Sequence, residues 1–411
     1  MPTDVVTAFV RHGTDVLLLR RSESVGSYPG RWGGVAGHAE GDPEAQARTE
    51  LREETGFGDA DVELVRRGAP FEVDDPDHGT WVVHPFLFDC RRRDAATNWE
   101  AAAHEWVPPT EIRRRDTVPD LWRSYDAVRP TVDSVAGDDE HGSAYLSLRA
   151  LDVLRDEAAV AADEGGDWER VAAVACDLAA AKPGMAVVRN RVNRAMAAAD
   201  RTPSGVEAAA REVAGEAADA DDRAAASAAD DLRSRGVAAV FTLSRSGTVD
   251  AALRELAPGR VVVAESRPGG EGVGVAEALA GDCDVTLTGD ANVPAAVAAA
   301  DAVLVGADAV FPDGDVVNKV GTRAAALAAR DAGVPTVVAC AADKVAPERL
   351  PVEDGDADAL YEGDAPLDVE NPVFEAVPGR LVDAVVTEAG VLDAEAVGAL
   401  AAERREWAAW E

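Results

Sequence analysis

The sequence predicts an α/β protein made of three successive parts. Residues 1–130 combine apolar, strand-like runs with one strongly marked helix, which is typical of a sheet sandwiched between helices. After a polar, glycine-bearing linker at residues 131–142, residues 143–236 show alanine-rich helical periodicity without strands. In residues 237–411 short apolar runs alternate with helical segments, which indicates a doubly wound parallel sheet.

The composition restricts the partners that we expect for this chain. Asp and Glu number 76 against 40 Lys and Arg, which gives a formal net charge of −36 over 411 residues. Molar salt shortens the Debye length to about 3 Å, so such a surface suits the salt-rich cytoplasm of a halophilic archaeon. Without a basic stripe the chain is not expected to bind nucleic acid directly. With no signal peptide and no apolar run near the ~20 residues of a membrane span, we expect a cytoplasmic protein that does not contact membranes.

One segment of the first part carries clear signals of where a helix begins and ends. Asp42 suits the N-cap, Pro43 suits the first helical position and Gly56 suits a left-handed cap, so the spacing predicts a helix over residues 43–55. Three glutamates share one face of this helix: Glu50, Glu53 and Glu54. Like charges at these spacings repel each other unless water and salt, or a bound metal ion, offset the repulsion.

The residues around these glutamates resemble the signature of the Nudix hydrolases. That signature ends in Arg-Glu-apolar-x-Glu-Glu-x-Gly-apolar, and residues 49–57 read TELREETGF. The lead-in SYPGRWGG at residues 27–34 and the segment EWVP at residues 105–108 also resemble the family. Thr49 is a departure, because the family has an arginine at this position that commonly orients the carboxylates. The resemblance covers residues 1–128 and implies an α/β/α sandwich.

This resemblance implies metal-dependent hydrolysis of a nucleoside diphosphate linked to another moiety, for example ADP-ribose. In the family, carboxylates hold Mg²⁺ or Mn²⁺, hard cations that prefer oxygen ligands, and an activated water attacks one phosphorus. Carried over to this sequence, the metal-binding and catalytic side chains are Glu50, Glu53 and Glu54, with the carbonyl of Gly37 assisting the metal. Either Glu100 or Glu105 would supply a further carboxylate or the base.

The third part presents polar residues where its predicted strands end. The apolar runs are residues 237–243, 260–264, 285–288, 302–306 and 334–339. In doubly wound sheets ligands bind beyond the carboxyl ends of the strands. Ser244–Gly247 lies between a predicted strand and a helix, so its backbone N–H groups and the helix dipole favour an anion. The glycines in residues 268–274 do not match Gly-x-Gly-x-x-Gly, and we predict a loop there instead of a dinucleotide site.

Separated motifs in residues 142–344 resemble a second family. In chain order they are GSAYLSLRA (142–150), Lys182-Pro183 followed by Asn190, VFTLSRSG (240–247), ESRP (265–268), GAD (306–308) and NKVGT (318–322). The superfamily joins the α, β and δ subunits of eukaryotic initiation factor 2B to isomerases of methylthioribose 1-phosphate and ribose 1,5-bisphosphate. The resemblance implies a Rossmann-like domain that pairs into a homo-oligomer, a dimer or larger.

The second resemblance also implies a pocket for a phosphosugar or nucleotide. Its phosphosugar-binding residues would be Arg149, Lys182, Ser244, Arg267, Asn318 and Lys319. The isomerases place a cysteine at the position of Ser244, which works with an aspartate that matches Asp308. A thiol, with a pKa near ~8.5, can be tuned toward neutral pH, whereas a serine hydroxyl needs an adjacent base. We therefore predict a binding pocket that has lost the isomerase reaction.

Three functions stay open on the sequence alone. In the first, the amino-terminal part hydrolyses a nucleoside diphosphate derivative and the second part binds a related phosphosugar. In the second, the whole chain is a non-catalytic nucleotide sensor that resembles initiation factor 2B. In the third, isomerase activity persists with Ser244 in place of the thiol. Fold resemblance does not decide among them.

Overall fold

A computed structural model describes residues 2–352, 355–363 and 365–410 of the chain. These residues divide into two units. The first unit contains the residues up to Thr131 together with Arg155–Asp163, and the second contains Val132–Leu154 together with the chain from Glu164 onward. Among the described residues, no helix combines the length and the apolar character needed to cross a lipid bilayer.

The first unit is built on one mixed sheet of eight strands. The strands are β1 (Thr3–His12), β2 (Asp15–Arg21), β3 (Trp32–Gly33), β4 (Val35–His38), β5 (Val62–Arg67), β6 (Phe71–Asp75), β7 (Gly79–Cys90) and β8 (Ala101–Val107). The central order is β3-β2-β1-β7-β5, while β4 pairs with β1, β6 with β7 and β8 with β2. Strand β1 runs parallel to β7 and antiparallel to β2 and β4, so it forms the middle of the sheet.

Helices cover both faces of this sheet. They are α1 (Pro43–Thr55), α2 (Leu121–Asp126) and a 3₁₀ helix (Pro109–Arg113). Because side chains alternate along β1, Ala8 packs in one apolar cluster with Leu51 of α1, whereas Phe9 packs in another with Tyr125 of α2. The ring centroids of Phe9 and Tyr125 lie 5.3 Å apart. The predicted α/β/α sandwich is confirmed.

The bounds of α1 agree with the predicted residues 43–55. The Asp42 side chain accepts a hydrogen bond from the backbone N–H of Glu44, and Gly56 has a φ of 73°. Capping of this kind depends on local backbone geometry, which explains why the sequence locates both ends of the helix.

The second unit begins with five helices, and the first of them lies within the predicted linker at residues 131–142. These helices are α3 (Val132–Ala136), α4 (Ser143–Glu164), α5 (Trp168–Ala181), α6 (Ala186–Ala198) and α7 (Pro203–Ser234), of which Arg155–Asp163 of α4 belongs to the first unit. The segment at residues 131–142 is therefore not a purely polar connection. Val135 is buried, so α3 contributes an apolar contact within its unit.

A seven-stranded sheet forms the rest of the second unit, in the order β11-β10-β9-β12-β15-β17-β18. Its strands are β9 (Ala239–Leu243), β10 (Arg260–Ala264), β11 (Asp284–Thr288), β12 (Ala302–Val305), β15 (Thr336–Ala339), β17 (Ala384–Thr387) and β18 (Gly390–Leu392). All neighbours pair in parallel except β17 and β18. The five predicted apolar runs are the strands β9, β10, β11, β12 and β15.

The helices of this sheet lie on both of its faces, as a doubly wound fold requires. They are α8 (Gly247–Leu256), α9 (Glu271–Leu279), α10 (Val293–Ala298), α11 (Thr322–Ala332) and α12 (Ala394–Trp407). One apolar cluster joins α7, α8 and α9 to the sheet, and a second joins α10, α11 and α12 to it. Short 3₁₀ helices are Asp290–Asn292, Ala342–Lys344, Ala357–Ala359, Gly379–Leu381 and Ala408–Trp410.

Three short strands form a separate antiparallel sheet that the sequence did not predict. They are β13 (Ala309–Val310), β14 (Val316–Lys319) and β16 (Phe374–Val377). Strand β14 lies between the other two and carries Asn318 and Lys319. Strands this short contain too few residues to show the alternation by which a strand is recognised.

The predicted loop at residues 268–274 is wrong in its second half. Helix α9 begins at Glu271, so Gly272 and Gly274 are helical. A Cβ atom on Gly272 would lie 1.8 Å from the carbonyl oxygen of Ala264, at the end of β10. Glycine is therefore needed at this position because helix and strand approach each other closely, and not to shape a loop.

Gly272→Ala is expected to destabilise the chain by about 1–3 kcal/mol or more, because the added methyl group collides with backbone. Gly274→Ala is the matched control in the same helix. No atom lies within 4 Å of a Cβ placed there, so this change should stabilise the chain by about 0.5–1 kcal/mol through helix propensity. Urea unfolding followed by circular dichroism measures both. Equal stability of the two variants would contradict the close contact.

Candidate active site

Glu50 lies against the backbone of β4. A Cβ atom on Gly37 would be 2.0 Å from Glu50 Oε1, so a larger residue at this point of the strand would force the Glu50 carboxylate to move. Gln46, one turn earlier in α1, donates a hydrogen bond from Nε2 to Glu50 Oε1 at 2.7 Å. The absence of a side chain at Gly37 thus allows the Glu50 carboxylate to lie directly against β4.

Glu54 is the most deeply buried of the three glutamates. The residue is 6% exposed, and its Oε1 accepts a hydrogen bond from the Ala36 N–H at 3.1 Å. The pKa of Glu54 is raised to about 8, mainly by burial; the charges of Glu100 and Glu50 contribute to the rise, and the Ala36 hydrogen bond opposes it. Glu53, by contrast, is exposed.

The same carboxylates influence Glu50. Burial raises the pKa of Glu50, the hydrogen bond from Gln46 lowers it, and the charges of Glu53 and Glu100 raise it. The structure therefore brings Glu100 into the electrostatic surroundings of the α1 glutamates. Glu105 is exposed and accepts a hydrogen bond from Arg115 at 2.7 Å. Of the two candidates for an additional carboxylate, only Glu100 lies with the glutamate face.

A cleft of about 680 Å³ opens beside these residues in the first unit. Gly37, Glu50 and Glu100 line it, together with Arg21 from the end of β2. Arg21 donates from Nε to the Ser27 carbonyl at 2.8 Å, and its charge lowers the pKa of Glu54. A cleft of this size matches the range of about 300–1,000 Å³ that is common for small-molecule sites.

The acidic residues fit a hard divalent cation in their chemistry. Within residues 2–352, 355–363 and 365–410, no three His, Cys, Asp or Glu side chains lie close enough together to enclose a metal ion. The donors on this face are nevertheless carboxylate oxygens, the ligands that Mg²⁺ and Mn²⁺ prefer. Mutual repulsion and burial raise the pKa of Glu50 and of Glu54, and a bound cation would offset both effects.

The sequence indicates little about two residues near the glutamates, Thr49 and Arg21. Thr49, at the family's arginine position, donates from Oγ1 to the Ala45 carbonyl at 2.9 Å and contacts none of the three glutamates in this way. Arg21 was not predicted. Its only sequence signal is an arginine at the end of a strand just before the SYPGRWGG lead-in.

In the second unit, Ser244 lies in a tightly held turn after β9. Its φ is 59°, in the left-handed region, and its N–H donates to Ser266 Oγ at 2.6 Å. Ser246 caps α8, since its Oγ accepts from the Val249 N–H at 3.4 Å. A Cβ atom on Gly306 would lie 2.7 Å from Ser246 Oγ. The ends of β9, β10 and β12 therefore meet around Ser244.

Asp308 is held by the start of α4. Ser143 Oγ donates to Asp308 Oδ1 at 2.8 Å, a contact that the sequence did not predict. A small cavity of about 10 Å³ beside Asp308 is lined by Met185, Val352 and Phe374 among others. Because a single water needs about 10–15 Å³, this cavity has no room for a sugar phosphate in the conformation that the structure describes.

The predicted phosphosugar-binding cations are engaged with acidic partners. Lys182 Nζ lies 2.9 Å from Asp139, and Lys319 Nζ lies 2.7 Å from Glu271. Arg149 is buried and its Nη1 lies 3.1 Å from Asp152.

The remaining predicted residues of this pocket also have partners. Arg267 is exposed, with Nε 3.3 Å from Glu265. Asn318 is buried and donates from Nδ2 to Thr322 Oγ1 at 3.0 Å. A ligand at this site would have to replace several of these contacts.

Glu54→Gln is expected to remove a pH-dependent weakness of the first unit in the absence of divalent ions. The pKa of Glu54 rises from 4.5 in the unfolded chain to about 8 in the folded chain, so the folded state retains a proton that the unfolded state releases. Stability is therefore lost as pH rises from 4.5 toward 8, by about 3–5 kcal/mol in all. Glutamine can still accept from Ala36.

The measurement is urea unfolding with a chelator at about pH 5 and about pH 8.5, on either side of the Glu54 transition. Five of the eight tryptophans lie in residues 1–130, so tryptophan fluorescence reports mainly on this unit. Glu105→Gln serves as the control, because its carboxylate is exposed. A native chain whose pH dependence equals that of Glu54→Gln would contradict the buried carboxylate.

Comparison with known proteins agrees with both parts of this architecture. The Initiation factor 2 subunit family matches residues 139–394, and the NUDIX domain family matches residues 1–128. Over 174 residues the chain is 36% identical to a ribose 1,5-bisphosphate isomerase of Haloterrigena turkmenica. This alignment covers 38% of this chain and 53% of that protein. The chain is 41% identical over 121 residues to a methylthioribose-1-phosphate isomerase of Dechloromonas aromatica, covering 25% of this chain and 33% of that one.

Solved structures share the fold of the second unit. A translation initiation factor eIF-2B of Pyrococcus horikoshii has a TM-score of 0.56 at 22% identity, covering 64% of this chain and 94% of that one. A 5-methylthioribose 1-phosphate isomerase of the same organism has a TM-score of 0.52 at 17% identity, covering 74% and 89%. The chain spans about half the length, or less, of the curated relatives it matches. The chain thus belongs to the initiation factor 2 subunit family, with a NUDIX domain at residues 1–128 joined to the family domain at residues 139–394.

Proposed function

We propose that the NUDIX domain is a divalent-metal-dependent hydrolase that cleaves a nucleoside diphosphate linked to another moiety, such as ADP-ribose. The observation that carries this proposal is the glutamate face of α1, where Glu50 packs into the space left by Gly37 beside a cleft of about 680 Å³. Oxygen donors with raised pKa values beside a ligand-sized cleft are typical of a functional site.

Mg²⁺ or Mn²⁺ would be held by the carboxylates of Glu50, Glu53 and Glu54, with the Gly37 carbonyl as a further donor. Such an ion polarises a phosphoryl oxygen and lowers the pKa of bound water. The protein's own contribution is positional. The hydrogen bonds from Ala36 to Glu54 and from Gln46 to Glu50 fix the two carboxylates before any ligand arrives.

Two further residues of the cleft have roles in this proposal. Arg21 would contact a phosphate of the substrate, because it lines the cleft and its positive charge interacts with Glu54. Glu100 would accept the proton that the attacking water gives up, since its carboxylate also lines the cleft and is in electrostatic contact with Glu50 and Glu54. Glu105 points to Arg115 and has no part in the site.

For the second unit we propose a phosphosugar or nucleotide pocket without isomerase activity, in a homo-oligomer of two or more chains. Ser244 would stand at the position of the isomerase cysteine, and Asp308 would match the isomerase aspartate. Ser244 supports the loss of isomerase activity, because a serine hydroxyl lacks the acidity of a thiol. Cleavage of ADP-ribose would release ribose 5-phosphate, a ligand of the class that this pocket would take. The strongly acidic composition supports a location in a salt-rich cytoplasm.

The test is release of AMP or phosphate from a panel of nucleoside diphosphate derivatives, in molar KCl with Mg²⁺ or Mn²⁺. Glu53→Gln and Glu54→Gln should each lower turnover about 100-fold or more, because each removes a charged oxygen donor. Glu105→Gln is the matched control and should leave turnover unchanged, since Glu105 pairs with Arg115 outside the cleft. Equal losses in all three variants would contradict the assignment of the glutamate face.

The second candidate function is a nucleotide sensor without catalysis. It is favoured by Thr49, which replaces the orienting arginine of the family and hydrogen-bonds only within α1. Nucleotide binding without turnover of any substrate in the panel would support the sensor and exclude the hydrolase. Ribose 1,5-bisphosphate, added in the same experiment, tests whether the second unit retains isomerase activity.

A further inference from the structure

The cleft has a second wall, formed by aromatic side chains of the sheet. Trp81 of β7 is in register with Val73 of β6 and with Thr3 of β1, and Val83, two residues on, is in register with Val5. Paired residues point to the same side of a sheet. Trp81, Val73, Val83 and Val5 therefore share one face, and all four line the cleft.

Tyr28 and His78 complete this wall. The ring centroids of Tyr28 and His78 lie 4.7 Å apart, and the His38 and Trp81 centroids lie 5.9 Å apart. All four of these rings line the cleft. We call the three residues Tyr28, His78 and Trp81 the ring wall.

Hydrogen bonds fix the orientation of the ring wall. Tyr28 Oη donates to Asp75 Oδ2 at 2.9 Å and accepts from Trp81 Nε1 at 3.2 Å. The same aspartate, through Oδ1, lies 3.0 Å from His78 Nδ1. Asp75 thus joins the polar edges of Tyr28 and His78 directly, and that of Trp81 through the Tyr28 hydroxyl.

The backbone of Tyr28 is strained. Its φ of 50° lies in the left-handed region, where a bulky L-residue is rare. Such a conformation costs about 1–3 kcal/mol and persists where the surroundings enforce it, which happens most often at ligand sites. The side chain of this residue lines the cleft and donates a hydrogen bond to Asp75.

The ring wall is not a hydrophobic core. Tyr28 and Trp81 are half-buried and His78 is exposed, and none of the three belongs to the two apolar clusters that pack against α1 and α2. Aromatic faces left open in a cleft, with their polar edges already satisfied, suit a flat, unsaturated ligand group. Stacking of a base on such a face contributes about 1–3 kcal/mol.

We propose that the ring wall binds the nucleobase of the substrate by stacking, while the diphosphate lies at Arg21 and the α1 glutamates. This inference rests on the proposed hydrolase function and names the part of the substrate that the cleft recognises. The ring wall, Arg21 and Glu50 line one cleft of about 680 Å³, so a nucleotide derivative bound there can contact both the ring wall and Glu50. Asp75 is a positioning residue, because it orients Tyr28 and His78 and touches no ligand itself.

The test is calorimetric titration of the full chain with AMP in molar KCl, which needs no turnover. Trp81→Leu should weaken AMP binding to the NUDIX domain about 10- to 100-fold, because the stacking surface is lost. Trp106→Leu is the matched control. Trp106 is also half-buried on a strand of this unit and its indole donates to the Arg93 carbonyl, but it does not line the cleft.

Tyr28→Phe is a second, milder variant that keeps the ring and removes its two hydrogen bonds. It should weaken AMP binding by a smaller factor, about threefold to tenfold, since a neutral hydrogen bond contributes about 1 kcal/mol. Unchanged AMP affinity in both Trp81→Leu and Tyr28→Phe would overturn the nucleobase subsite. Equal losses in Trp106→Leu and Trp81→Leu would also overturn it, since the effect would then be a general loss of fold.

The outcomes separate this inference from the proposed hydrolase. If the native chain binds AMP through Trp81 but hydrolyses nothing in the panel, the ring wall stands and the hydrolase fails. If the native chain hydrolyses its substrates and Trp81→Leu leaves both KM and AMP affinity unchanged, the hydrolase stands and the ring wall fails. When both hold, Trp81→Leu raises KM with little change in kcat, because stacking contributes equally to ground state and transition state.

Discussion

Burial of a carboxylate against a β-strand is the constraint that organises the NUDIX domain. Glu54 can accept a hydrogen bond from Ala36 only if α1 lies close to β4, and the same approach brings Glu50 against Gly37. The candidate site is therefore assembled by the packing of α1 on β4. The repulsion among its carboxylates is built into the folded state, where a proton or a cation can offset it. Asp42 and Gly56 make this possible, because caps at both ends fix which residues of α1 face the strand.

Much of the fold could be predicted because its signals are local. The caps of α1 lie within a few residues of the helix. Strands β9, β10, β12 and β15 are buried almost throughout, so each is a largely apolar run, whereas β11 at the edge of the sheet is only partly buried. The small sheet of β13, β14 and β16 could not be predicted, because its strands are short and β16 lies far along the chain. The sequence predicts a loop at Gly272 because the need for glycine in this helix depends on the position of Ala264, which is a tertiary contact.

The candidate site likewise has a part that the sequence predicts and a part that it does not. The α1 glutamates are adjacent in sequence, so their common face follows from helix geometry alone. Asp75 and Trp81 belong to one hairpin of β6 and β7, but Tyr28 lies 47 residues from Asp75 and 53 from Trp81, so its hydrogen bonds to them depend on tertiary packing. No local pattern encodes that meeting. Ser143 and Asp308 are likewise distant in sequence, and only the placement of α4 within its unit joins them.

The hydrogen bond between Ser143 and Asp308 has a consequence for any ligand that would bind to Asp308. Ser143 Oγ already occupies Asp308 Oδ1 at 2.8 Å, so a ligand that donates to the same oxygen would compete with the first residue of α4. A hydrogen bond to a charged group contributes about 1.5–3 kcal/mol, and the ligand would gain only the difference between its own bond and the one it replaces. The amino-terminal end of α4 would therefore act as an internal competitor for this carboxylate.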